Sequence, residues 1–193
     1  MKFTDMVEKI ATVHKESIIK WKQSGLHLRE EGLLRLVEEN HAFNYQLWHA
    51  EDRARRDDKG YEFVYRAKRE IDHYNQQRNN RMEDIDLWFY NSLEPASSST
   101  CTVHSETPGM MIDRLSILAL KSYHMKLQTE RTDVSQDHLN TCEAKLNTIE
   151  EQLRQLQACL LGLLEEISNK SRTFRIYRQF KMYNDPSLNP ELY

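Results

Sequence analysis

The strongest constraint on the fold lies between residues 135 and 169. Leu139, Cys142, Leu146, Ile149, Leu153, Leu156, Leu160, Leu163 and Ile167 alternate spacings of three and four without a miss. That is a heptad seam, the pattern of a helix that lays one apolar stripe along other helices. At about 1.5 Å per residue such a helix is roughly 50 Å long. The same scale suits the second and third helices read below, so a bundle of long antiparallel helices follows.

The rest of the chain agrees. Residues 3 to 22 place Phe3, Met6, Val7, Ile10, Val13, Ile18 and Trp21 at mixed three- and four-residue spacings, closing near Ser24-Gly25. A second helix is predicted over 27–57 and a third over 61–92, with Val64, Ala67, Ile71, Tyr74, Met82, Ile85, Trp88 and Phe89 on its apolar face. Residues 93–108 are rich in Ser and Thr and read as a loop. Thr107 can cap the fourth helix and Pro108 suits its first turn; the helix runs to about Arg131. Residues 171–193 form a tail that Asn184-Asp185-Pro186 and Asn189-Pro190 keep irregular. The expectation is one all-α domain, 1–193, an antiparallel bundle of about five long helices with the tail folded back.

Composition narrows the function classes. The formal charge is -3, and no global basic field argues for nucleic acid. Three cysteines, Cys101, Cys142 and Cys159, have neither disulfide-framework nor zinc spacing and suggest a reducing compartment. The amphipathic start lacks the apolar core of a signal peptide, and no run approaches the roughly 18 to 20 apolar residues of a membrane span. A cytoplasmic location is expected. No phosphate-cradling glycine loop, nucleophile elbow or dinucleotide fingerprint occurs.

The informative anomaly is the stretch from His41 to Arg55. At about 100° per residue, Leu33, Leu36, Val37, Phe43, Leu47, Trp48 and Ala54 share one broad face with Asn40, Asn44, Glu51 and Arg55. His41 and Asp52 sit at its edge. On the third helix Arg78 and Arg81 point into the apolar face and Asp84 lies beside it. Charges on a buried face require complementary partners or a ligand. A structural ion-pair network satisfies that demand as well as a binding site does.

Other candidates are open to plainer readings. Glu38-x-x-His41 and Glu70-x-x-His73 match the spacing of di-iron bundles, but His73 falls outside its helix's apolar face. A single divalent ion on Glu51 or Asp52 is the simpler metal reading. Asp113, Arg114, Lys121 and His124 form a stripe that looks like a solvated face. In the tail, basic and aromatic residues alternate; Arg175, Arg178 and Lys181 could grip a small anion, or the segment could cover the bundle end.

Four strings carry a resemblance: HAFNYQLWHAEDRAR, NNRMEDIDLWF, ETPGMMIDRLSILALKSYHM and YRQFKMYNDPSLNPELY. Together they resemble an uncharacterised bacterial family classed only as a domain of unknown function, from about His41 to Tyr193. A second unnamed family, linked to glycosyltransferases, is similar in two of these strings but carries them in the opposite order. The resemblance implies a shared site on the second and fourth helices and a neighbourhood of cell-surface polysaccharide genes. It singles out Asp113, Arg114 and Lys121, and repeats the emphasis on Asn44, Trp48, Glu51, Asp52 and Arg55.

These residues suit a phosphorylated sugar or nucleotide, with Arg and Lys on phosphate and Trp48 stacked on a ring. The expected ligand-binding set is His41, Asn44, Trp48, Arg55, Arg81, Asp84, Asp113, Arg114 and Lys121. Glu51 or Asp52 would be the base or metal ligand if catalysis occurs, and no cofactor beyond a divalent metal is suggested. The competing reading is a non-enzymatic interaction protein. Its long heptad helix would join a second copy or a glycosyltransferase, and the polar cluster would be structural. A closed, fully paired cluster with an open leucine seam favours that second reading.

Overall fold

A computed structural model describes residues 2–180, 182 and 185–192. Five helices dominate: α1 (Phe3–Ser24), α2 (Gly32–Arg53), α3 (Tyr61–Leu93), α4 (Pro108–Thr129) and α5 (Gln136–Ser168). The all-α expectation holds. Thr107 caps α4 by accepting from the Met110 N–H at 3.1 Å, and Pro108 occupies the first turn, as its sequence predicts. No helix among the described residues is long and apolar enough to cross a membrane.

The second helix departs from its predicted bounds at both ends. Residues 25–31 do not join it. Glu38, 2% exposed, turns its carboxylate back to accept from the backbone N–H of Arg29 at 2.7 Å and Glu30 at 2.9 Å. Trp21 Nε1 donates to the His27 carbonyl at 3.1 Å. The loop therefore doubles back along α1. At the other end α2 stops at Arg53, and a short 3₁₀ turn at Asp57–Lys59 leads to Gly60 at φ 84°.

That returning loop sets the helix directions. His14 packs on His41, and Trp21 on His41 and Tyr45, so α1 and α2 climb together. Asn40 meets Asp113 and Trp48 meets His124, so α2 and α4 also climb together. The helices α3 and α5 return in the opposite sense as the second arms of two antiparallel hairpins, α2–α3 and α4–α5. Central α4 touches all four other helices.

One core fills the lower bundle, with Ile10, Val37, Ile85, Phe89, Ile112, Leu115, Leu160 and Ile167 at its heart. A smaller cluster of Leu47, Ala50, Ala54, Ala67 and Ile71 joins only the far ends of α2 and α3. The α5 seam divides likewise. Leu156, Leu160, Leu163 and Ile167 are buried; where the hairpin outgrows the bundle Cys142 is buried, but Leu139, Leu146, Ile149 and Leu153 are half-buried.

The predicted 93–108 loop contains a strand, β1 (Thr102–His104), paired in parallel with β2 (Arg172–Phe174). Three-residue strands give too short a pattern to read locally. Phe174, 2% exposed, anchors the tail in the core. Arg178 reaches Glu83 at 2.9 Å and Arg175 reaches Ser98 at 3.2 Å, so these two tail cations hold the tail down. Lys181 lies outside the described residues.

Candidate functional site

Where α1, α2, α3 and α4 meet, the apolar core is interrupted by a layer of polar side chains. Asp113 is 4% exposed. Its Oδ1 accepts from Asn40 Nδ2 at 3.0 Å and from Asn44 Nδ2 at 2.9 Å. Arg78 Nε lies 3.5 Å from the same oxygen, an ion pair without a well-formed hydrogen bond. Asn44 Nδ2 also donates to Ser116 Oγ at 3.0 Å. Ser116 Oγ lies 2.7 Å from His41 Nδ1. Ser116 thus links the Asn44 amide to the His41 ring.

The layer continues into α1. His14 and His41, 1% and 0% exposed, lie with ring centroids 4.8 Å apart, and Trp21 covers His41 at 5.3 Å. Burial pushes His41 down to about 3, opposed by the His14 backbone. Burial first, and the neighbouring His41 second, hold His14 well below the ordinary imidazole value. Both rings are neutral at pH 7. Ser116 and His41 have the spacing of a nucleophile and base, but both are fully buried and have no path to a substrate.

Above the layer, Trp48 stacks on His124 at 4.3 Å and 11°. Tyr45 meets His49 edge-on at 4.6 Å, and Lys22 lies over the Tyr123 ring at 5.1 Å. Trp48 thus has a protein ring on the face where a ligand ring was expected. Asp52 is exposed, and its charge raises His49 and His124 against the larger lowering by burial.

The remaining expected residues are dispersed. Glu51 and Arg55 pair with each other at 2.7 Å, with side chains 39% and 70% exposed. Their predicted burial is corrected: from Leu47 onward the buried stripe narrows to Leu47, Ala50 and Ala54 facing α3, and a broad face no longer exists. Glu51 and Arg55 make no ion pair with Asp113, Arg114 or Lys121 among the described residues, so they do not join the second and fourth helices. The two helices are neighbours, but they meet through Asn40, His41, Asn44 and Trp48. Arg81 pairs with Asp84 at 2.7 Å and with Glu39 at 3.5 Å on the α2–α3 surface. Arg114 pairs with Glu106 at 2.5 Å, and Lys121 is unpaired among the described residues; both line a groove of about 590 Å³ between α4 and α5.

The metal spacings do not converge. Glu38 is spent on the α1–α2 loop, His41 faces Ser116, and Glu70 pairs with Arg53. No group of three metal-ligating side chains is assembled among the described residues.

Sequence reasoning passed over several participants. Asn40 and Arg78 lie on faces it flagged, yet neither joined the candidate set. His14 and Ser116 gave no signal, because one His or Ser on an apolar face leaves the periodicity intact. Asp86 was missed too. It is 3% exposed, and burial pushes it up to about 6 against hydrogen bonds from Thr107 and Gly109. Its Oδ1 accepts from the Gly109 N–H at 2.7 Å, clamping the start of α4 to α3.

The fold and its polar layer define an all-helical bundle whose interior charge is answered by its own chain. Residues 34–176 match the family described as Protein of unknown function (DUF4254). The match spans well over half of the chain, which belongs to that family. No curated protein and no solved structure matches significantly.

Proposed function

We propose that the protein is an interaction protein in which the polar layer serves the fold and the α4–α5 hairpin serves a partner. The carrying observation is the closure of the layer. Asp113 is answered by Asn40, Asn44 and Arg78 from its own chain, and the first two of these are 0% and 4% exposed. A ligand would have to part α2 from α4 to reach it. On α5, meanwhile, Leu139, Leu146, Ile149 and Leu153 remain half-buried. A fully buried leucine gains about 1.5 to 3 kcal/mol over an exposed one, so completing this cover favours association.

The partner to test first is a second copy; a glycosyltransferase is the partner the resemblance suggests. Sedimentation compares the wild type with Ile149→Glu, and a photo-crosslinking residue at position 145 reports partners in cells. A concentration-dependent dimer lost in the variant, or a discrete crosslinked partner, supports the reading. A monomer throughout, with no adduct, ends it.

A second reading keeps the phosphorylated sugar or nucleotide but moves it to the α4–α5 groove. Arg114 and Lys121 stand there with His104, Gln152 and Gln155. Glu106 shares the groove and holds Arg114, so unpaired Lys121 and the two amides are the groups that suit phosphate and hydroxyl groups. A role in envelope polysaccharide assembly rests on the resemblance alone. Calorimetry against nucleotides and nucleotide sugars, with Lys121→Ala as the control, tests it. If no member of the panel binds, this reading fails.

A further inference from the structure

A second groove lies between α1 and α5 and is floored by α4; of the seam residues in the interaction reading it shares Leu153 alone. It holds about 550 Å³. Its lining along α4 runs from Leu115 to Glu130, roughly 22 Å at about 1.5 Å per residue. The groove is long for its volume, a shape that suits one extended chain.

Its chemistry changes along its length. Because α1 and α4 climb together while α5 descends, His14, Lys15 and Arg154 share the inner end. His14 is 1% exposed, and its Nε2 has no hydrogen-bond partner among the described residues. Lys15 and Arg154 have no ion-pair partner among them either. Ile18, Ala119 and Leu153 make the middle apolar, and Ile19 and Leu127 carry it to the surface at 41% and 37% exposure. At that outer end Lys126 is offset by Glu130 and Glu150. Cationic charge in excess of anionic is confined to the inner end.

We propose that this groove binds a single-chain anionic amphiphile. Its head lies at His14, Lys15 and Arg154, and its hydrocarbon runs over Ile18, Ala119 and Leu153 toward Leu127. Burial of the methylenes holds the chain, and the two cations select the sign of the head. The proposal needs no partner protein and meets the interaction reading at Leu153, which both use.

Titration calorimetry below micelle formation, on the whole protein, tests it with dodecanoate and with dodecyltrimethylammonium, which share a chain and differ in head charge. Dodecanoate is expected to bind saturably at one site. The cationic amphiphile should bind at least about tenfold more weakly. The double substitution Lys15→Glu with Arg154→Glu should narrow or reverse that preference. Ala119→Phe should block both probes, with Ala119→Leu as the milder filling variant if the first does not fold. Equal affinity for the two heads, dodecanoate binding indifferent to both groups of variants, or no saturable binding overturns the proposal.

Discussion

Asp113 is the residue on which the interior depends. Substitution by Ala leaves the amides of Asn40 and Asn44 without their shared acceptor and Arg78 without its counter-charge. Breaking a buried pair from one side costs about 3 to 5 kcal/mol, so Asp113→Ala is expected to lose that much stability in denaturant titrations. Arg55→Met makes the contrast. Its guanidinium is 70% exposed and its pair is an ordinary one-turn contact. Exposed pairs are worth a few tenths of a kcal/mol, and the same titration should find a change within about 0.5 kcal/mol. The sequence places both residues in one cluster; burial separates them.

Between elements, the contact of α3 with α4 turns on Gly109. Glycine inside a helix normally gives way to alanine with a gain of about 1 kcal/mol. Here a Cβ would lie 2.4 Å from the Met82 carbonyl oxygen and 2.8 Å from Asp86 Oδ1. Neither the α3 backbone nor a carboxylate already bonded to Gly109 can yield without moving α4. Gly109→Ala is therefore expected to destabilise by roughly 2 kcal/mol or more, read as a lowered melting temperature. The two halves of α5 should also differ. Leu160→Ala, in the buried half, should cost about 2 to 5 kcal/mol, and Leu146→Ala clearly less. A Leu146 cost equal to that of Leu160 in the isolated protein would mean that the outer seam is already covered in solution.

Across the whole molecule, three buried titratable groups set the response to acid. His14 and His41 have folded values below the ordinary 6.5, so the unfolded chain binds their protons first. Their contribution is fully present above about pH 6.5 and is lost as pH falls. Asp86 has the opposite sign. Its folded value of about 6 exceeds the ordinary 3.8, so its contribution is present below about 3.8 and lost as pH rises through 6. Among these three, two protons oppose one, and His49 and His124, also lowered by burial, act with the buried histidines, so stability should fall from pH 6 toward pH 4 by on the order of 1.4 kcal/mol per unit or more. Asp86→Asn keeps an acceptor for the Gly109 N–H and removes the opposing titration. Its slope over the same interval should steepen by about one proton, as denaturant midpoints measured against pH would show.

The sequence by itself determined what depends on neighbours along the chain. The five helices, the Thr107–Pro108 start of α4, and the demand for partners around Asn40 and Asn44 follow from spacing within a few turns. The start of α2 at Gly32 was decided elsewhere, because Glu38 captures the backbone of residues 29 and 30 only once the loop lies along α1. The pairing of β1 with β2, about 70 residues apart, has no local signature. Tertiary structure also decided which candidates converge. Asp113 and Arg114 are adjacent in sequence and about 100° apart on α4, so one enters the polar layer and the other faces α5. A helix wheel gives that angle but not the identity of the neighbour on either side. That choice belongs to the crossing of whole helices, and it leaves Asp113 sealed among amides and Arg114 paired with Glu106 at the surface.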